Sequence, residues 1–188
     1  TDGTTKVASS SVSTSGISNT TSLKTTTGKI DTAINQNTSG VGISSTKYDT
    51  NNNVTDKTSL TMNGSANNIT SIKYNDSNKT VETTSVSVNG GTSSITSYGN
   101  YVYGEDGKAT SYNQASMSLN GNTGTATIRG GSNTASSTLT LNEAGVALSG
   151  KNVGLNANGL TLYKDVDGVK TQYASLSAGG LSVNGTGY

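Results

Sequence analysis

Nine tyrosines supply all of this chain's Phe, Tyr and Trp content, and four of them stand close together: Tyr98, Tyr101, Tyr103 and Tyr112. A phenol ring can stack on a sugar or anchor a protein partner while its hydroxyl stays in water. These four are therefore the candidate ligand or partner contacts. The plainer reading is that Tyr is simply the large strand residue of a chain without Phe or Trp. Acid–base and nucleophilic chemistry is harder to build, because the chain has no His and no Cys. A carboxylate pair can cleave a glycoside, but Glu82, Glu105 and Glu143 are the only glutamates and each falls in or near a loop or strand edge. The expectation is a protein that is not an enzyme and holds no cofactor. Asp49-Thr50-Asn51-Asn52-Asn53 imitates the start of a calcium loop, but Val54 stands where Gly is needed and Leu60 where the bidentate Glu is needed. Asp165, Asp167 and Glu105-Asp106 read as hairpin-loop residues, with a weak cation site as the sharper alternative, and no metal site is assigned. Lys57, Lys79, Lys108 and Lys170 recur after these loops, where charge discourages edge-to-edge aggregation.

What must position such residues is constrained by composition. Only 29% of the 188 residues are hydrophobic, while Ser, Thr and Asn make up about 44%. A monomer so poor in large side chains buries too little apolar area to offset chain entropy, at about 25 cal/mol per Å² against roughly 1.5 kcal/mol per ordered residue. The apolar residues nevertheless recur in alternating runs, which argues against disorder. Two remedies remain: stacked repeats and burial between chains. The net charge is +1, with Arg129 the only arginine, so nucleic acid is not an expected partner. No run approaches 18 apolar residues, so no direct membrane span is expected. The opening Thr1-Asp2-Gly3 reads as a segment of something longer, without a signal peptide.

The repeat is a short phrase of two apolar residues around one small polar residue, closed by Asn-Gly. It occurs at Leu60–Gly64, Val86–Gly90, Met117–Gly121 and Leu181–Gly185, with looser copies at Leu139–Gly145 and around Leu160–Leu162. Apolar–polar–apolar puts both apolar side chains on one face of a strand, and Asn-Gly favours a tight reversal with positive φ at both positions. A Tyr-led loop precedes each copy, at Tyr48, Tyr74, Tyr103 and Tyr163, and is read as strand, hairpin loop, returning strand, then the Asn-Gly strand. Further short strands are expected at Val146–Leu148 and Val153–Leu155. The unit of about 25–35 residues lies in the range of repeat architectures. The organisation expected is an N-terminal connector over 1–42, looped β-repeats over 43–137 and tight β-shaft repeats over 138–188. The connector is either extended or a short coiled coil, since a heptad can be laid over Leu23, Thr27, Ile30, Ile34, Asn37 and Val41, although Thr25, Thr26, Thr27 and Gly28 are poor helix formers.

Phrases such as Leu139–Gly145 and Tyr103–Lys108 resemble those of two kinds of trimeric fibre protein: trimeric autotransporter adhesins of bacteria and bacteriophage tail fibres. The likeness covers about residues 43–188 and implies a parallel homotrimer with an intertwined β shaft. The fold class expected is thus all-β: a repetitive, intertwined homotrimeric β-fibre of triple β-helix or β-prism type. The function expected is a structural segment of an extracellular fibre, on a bacterial cell surface or phage virion, supporting adhesion or host-surface attachment. Its partners would be two further copies of itself and a host-surface glycan or protein. The alternatives are a receptor- or glycan-binding module of the fibre and the surface domain of a flagellin-like filament subunit.

Overall fold

In the computed structural model, which describes residues 5–167 and 169–183, the chain is all-β and contains no helix among the described residues. Sixteen strands form one antiparallel sheet whose spatial order is their order in the chain. The first ten are β1 (Thr5–Ser13), β2 (Gly16–Thr25), β3 (Gly28–Asn37), β4 (Gly40–Tyr48), β5 (Val54–Asn63), β6 (Ala66–Tyr74), β7 (Thr80–Asn89), β8 (Thr92–Tyr103), β9 (Ala109–Asn120) and β10 (Thr125–Ser132). Shorter strands follow: β11 (Ser136–Asn142), β12 (Gly145–Ser149), β13 (Val153–Asn156), β14 (Gly159–Val166), β15 (Val169–Ser177) and β16 (Gly180–Val183). The sheet is open, so β1 and β16 are both free edges. At about 4.8 Å per step the ribbon is about 72 Å long.

Of the two alternatives for the connector the extended or β form holds, and the reading of the repeat unit is corrected in part. The heptad positions Leu23, Ile30, Ile34 and Val41 lie in β2, β3 and β4, so residues 23–41 form hairpins and no coiled coil. Thr26-Thr27 makes the turn that a helix would have had to run through. In three copies the returning strand and the Asn-Gly strand are one element, since β5, β7 and β9 each run unbroken from loop to turn, whereas after Tyr163 the returning strand β15 and the Leu181 strand β16 are separate, as expected. No Gly or Asn interrupts Asp56–Leu60 or Val81–Val86 to break them. The Asn184-Gly185 turn, Gly168 and the side chain of Asp165 lie outside the described residues.

Two turn designs fold the ribbon. After β5 and β7, Asn63 and Asn89 end the strand, and only Gly64 (φ 52) and Gly90 (φ 56) take the left-handed conformation. The second design is Ser/Thr/Asn-x-x-Gly, in which the last strand residue accepts the N–H two positions on. Ser39 donates to Asn37 Oδ1 at 2.8 Å, Ala144 to Asn142 Oδ1 at 3.0 Å and Asn158 to Asn156 Oδ1 at 2.8 Å. Ser13, Thr25 and Ser177 do the same through a hydroxyl. These side chains mimic a backbone turn. At Gly40 the closing glycine is needed on two counts: it sits at φ 127, and a Cβ there would drive into the Met62 carbonyl of β5. Gly40→Ala is expected to destabilise the fold by about 1–3 kcal/mol, read as a lowered denaturation midpoint. The same change at Gly64, which meets open space, should cost about 1 kcal/mol or less.

No hydrophobic side chain is buried among the described residues. The registers explain why. One aliphatic residue from each strand β3 to β16 falls in a single cross-strand ladder: Ile34, Ile43, Leu60, Ile69, Val86, Ile95, Met117, Ile128, Leu139, Leu148, Leu155, Leu160, Leu176 and Leu181. A second, interrupted row carries Val41, Met62, Val88, Leu119, Leu141 and Val146 on the same face. One residue along the strands, the opposite face carries Ser44, Ser59, Thr70, Ser85, Thr96, Ser116, Arg129, Thr138 and Ser149. The result is one layer with an aliphatic face and a hydroxyl face. Its accessible surface is 12547 Å², whereas a monomeric globular protein of 18.9 kDa exposes about 8,300 Å².

Candidate functional site: the loop edge and the two faces

Because the strands alternate in direction, their connections sort onto two edges. Tight turns join β3–β4, β5–β6, β7–β8, β11–β12, β13–β14 and β15–β16 along one edge. Most of the longer loops, 49–53, 75–79, 104–108 and 150–152, line the other. Of the described charged residues, only Arg129 and Glu143 lie away from the loop-edge half of the sheet.

The loops are held by their own polar residues. Asp49 Oδ1 accepts N–H groups from Asn51 and Asn53, both at 2.8 Å, and its Oδ2 accepts the Asn53 side-chain amide at 2.9 Å. These bonds hold the Asp49 carboxyl below its ordinary range, with the Asn53 side chain the largest cause. Asn75 plays the same part for Ser77 and Lys79, at 3.0 Å each. The resemblance of residues 49–53 to a calcium loop therefore has a local cause, in that the carboxylate caps its own turn. Among the described residues no group of three acidic side chains comes together.

Aromatic residues collect on the hydroxyl face at this edge. Tyr98, Tyr101, Tyr103 and Tyr112 are brought together: Tyr98 meets Tyr112 edge-on at 5.6 Å, Tyr101 lies 5.5 Å from Tyr112, and Tyr101 stacks on Tyr103 at 6.1 Å. Burial among these rings pushes the Tyr101 hydroxyl above the usual phenol range, against a hydrogen bond with Thr83 that acts the other way. Tyr103 donates its hydroxyl proton to the Thr80 carbonyl.

Of the recurring lysines, Lys79 sits over the Tyr103 ring at 4.9 Å and Lys170 over Tyr163 at 4.0 Å. Lys108 instead lies 3.8 Å from Asp106. A third pair, Lys29 over Tyr48 at 4.2 Å, was not evident from the sequence spacing. Lys29 also meets Asp31 at 2.7 Å. That contact, with the Ser22 hydroxyl at 2.6 Å, lowers the Asp31 carboxyl and raises the Lys29 ammonium.

Glu82, Glu105 and Glu143 stay apart. Glu82 is in β7 beside Lys73 at 3.9 Å, Glu105 is in the 104–108 loop, and Glu143 is in the β11–β12 turn on the far edge. The largest feature is the one that residue-by-residue motifs did not reveal, the continuous aliphatic ladder. It becomes visible only when every hairpin is placed in register with the next. Compared with known proteins, the chain matches no family model and no curated protein sequence.

Proposed function

We propose that this chain is a non-catalytic shaft segment of an extracellular fibre, in which three parallel copies press their aliphatic faces together as a β-prism. The observation that carries the reading is the uncovered ladder from Ile34 to Leu181. Exposed residues along it include Ile43 at 40%, Ile95 at 44%, Ile128 at 49% and Leu181 at 73%. Soluble proteins rarely leave an apolar patch of this extent bare. The excess surface of about 4,200 Å² over a globular monomer falls in the range of obligate interfaces.

A second copy is the fitting occupant because it brings an aliphatic strip of the same length and spacing. Width supports the number three. The continuous ladder and the interrupted second row occupy two neighbouring positions on one face, a strip about 14–17 Å wide where both are present. Three such strips closed into a triangle lie about 4–5 Å from the axis, half the roughly 10 Å spacing of packed sheets. Four would leave a channel, and two would leave the strip margins open to water. The hydroxyl face and the charged loop edge then point outward, and stiffness comes from strands stacked across the long axis. The resemblance to fibre proteins and the Cys-free, Ser/Thr/Asn-rich composition support an exported setting.

Light scattering on a size column tests the proposal. The expected mass is about three times 18.9 kDa, in an elongated particle. A stable monomer in dilute solution overturns it.

A further inference from the structure

The sheet departs from plain alternation in β8, and the departure gathers rings. Tyr98 pairs with Gln114 on the hydroxyl face. Strict alternation would then send Tyr101 and Tyr103 to the aliphatic face. Instead the register slips between Gly99 and Val102, with Asn100 at φ 54, and both rings turn to join Tyr98 and Tyr112. A bulge of this kind forfeits ladder hydrogen bonds and re-aims a side chain. Here it moves two large rings off the face that an oligomer would bury and onto the one it would leave in water.

The ring cluster is also pre-set. Asn133 donates its backbone N–H to the Tyr112 carbonyl at 3.0 Å, accepts the Tyr112 N–H at Oδ1 at 3.2 Å, and donates its side-chain amide to the Thr110 carbonyl at 3.2 Å. Arg129 donates to Gln114 Oε1 at 2.9 Å. The nearby cations are engaged: Arg129 with Gln114, Lys79 over Tyr103 and Lys108 beside Asp106. What faces outward is aromatic ring bordered by hydroxyls and amides, with Ile72 of β6 beyond Thr83 and the aliphatic side chains of β8 and β9 turned the other way.

We propose that Tyr98, Tyr101 and Tyr112 form a carbohydrate-binding platform for uncharged pyranose units, whose C–H faces stack on the rings while their hydroxyls bond to the amide and hydroxyl border. An aliphatic rim, which a protein partner would favour, is absent from this face of β8 and β9. The outward placement rests on the fibre reading above. Three copies per shaft present three equal platforms, so weak sites gain by avidity.

Affinity electrophoresis of the assembled protein through gels containing dextran or galactomannan, with alginate as the anionic comparison, tests the site. A neutral polysaccharide should retard the wild type. Tyr98→Ala and Tyr112→Ala should each weaken retardation about tenfold, while Tyr163→Ala, on the same edge, should not. The wild type alone gives a second measurement: with no Trp or Phe in the chain, the polysaccharide should shift its near-ultraviolet absorption through the tyrosines. Retardation in alginate only, retardation indifferent to Tyr98 and Tyr112, or an unperturbed tyrosine spectrum overturns the site. Light scattering on the same samples separates the two proposals. An intact oligomer that fails to bind overturns the platform alone, and a monomer that fails to bind overturns both.

Discussion

Val86→Asp is expected to abolish the proposed assembly and, with it, the folded sheet, whereas Ser85→Asp should leave both in place. The two positions are adjacent in β7 and differ in face alone. Val86 lies between Ile69 and Ile95 in the aliphatic ladder, and Ser85 lies between Thr70 and Thr96 on the hydroxyl face. In a prism the Val86 side chain meets its symmetry mates near the axis. Aspartate there would place three carboxylates together in an apolar interior, each costing several kcal/mol unless protonated or paired. The sheet has no intrachain core to fall back on, so lost assembly becomes lost structure. Ser85→Asp replaces a small polar side chain facing water and should cost about 1 kcal/mol or less, the range of strand propensity. Circular dichroism and light scattering on both variants read the result. Equal behaviour of the pair would mean that assembly does not bury one face in preference to the other, and reversed behaviour that it buries the hydroxyl face.

That contrast also shows what the residues made legible. The period-2 phrases at Leu60–Met62, Val86–Val88, Met117–Leu119 and Leu139–Leu141 sit in strands of the expected kind, and Val146–Leu148 and Val153–Leu155 lie within β12 and β13. A two-residue period needs no long-range information, and so it can be read locally. Turn chemistry was legible in part. Gly64 and Gly90 take positive φ, but the Asn before each stays in the strand, and the recurring Ser/Thr/Asn-x-x-Gly turn was hidden because its first residue is three different amino acids with one hydrogen-bonding role. Heptad spacing at Leu23, Ile30 and Ile34 misled because antiparallel pairing sets Leu23 opposite Ile30, an arrangement that imitates a seven-residue period. The tyrosine cluster was visible as proximity in sequence. Its placement on one face depends on the bulge at Gly99–Val102, which no alternation rule foresees. The aliphatic ladder depends on thirteen successive strand pairings from β3 to β16 all keeping register along it, a property of nearly the whole ribbon.

The apparent stability of the protein should depend steeply on its own concentration, and the slope counts the chains. If the sheet folds only by sharing its aliphatic face, unfolding and dissociation are one transition, and stability is inseparable from protomer concentration. For a trimer in equilibrium with three unfolded chains, the unfolding constant carries concentration squared. A tenfold rise in protein then stabilises the assembly by about 2.7 kcal/mol per trimer, twice the 1.36 kcal/mol that a factor of ten represents. A dimer gives about half that shift, and a self-sufficient monomer gives none. Because the denaturant slope also grows with the number of chains that unfold together, the midpoints of melts over a hundredfold range of concentration would shift in the ratio of about four to three to zero for trimer, dimer and monomer. The exposed area predicts where the answer falls. A chain that leaves Ile34, Ile43, Ile69, Ile95, Ile128 and Leu176 each at least 40% open to water has most of its aliphatic side chains on one uncovered face, and the free energy of covering that face enters only when other copies arrive. A midpoint that does not move with concentration would mean that the single layer holds itself together, and neither shaft nor prism would then be needed to explain it.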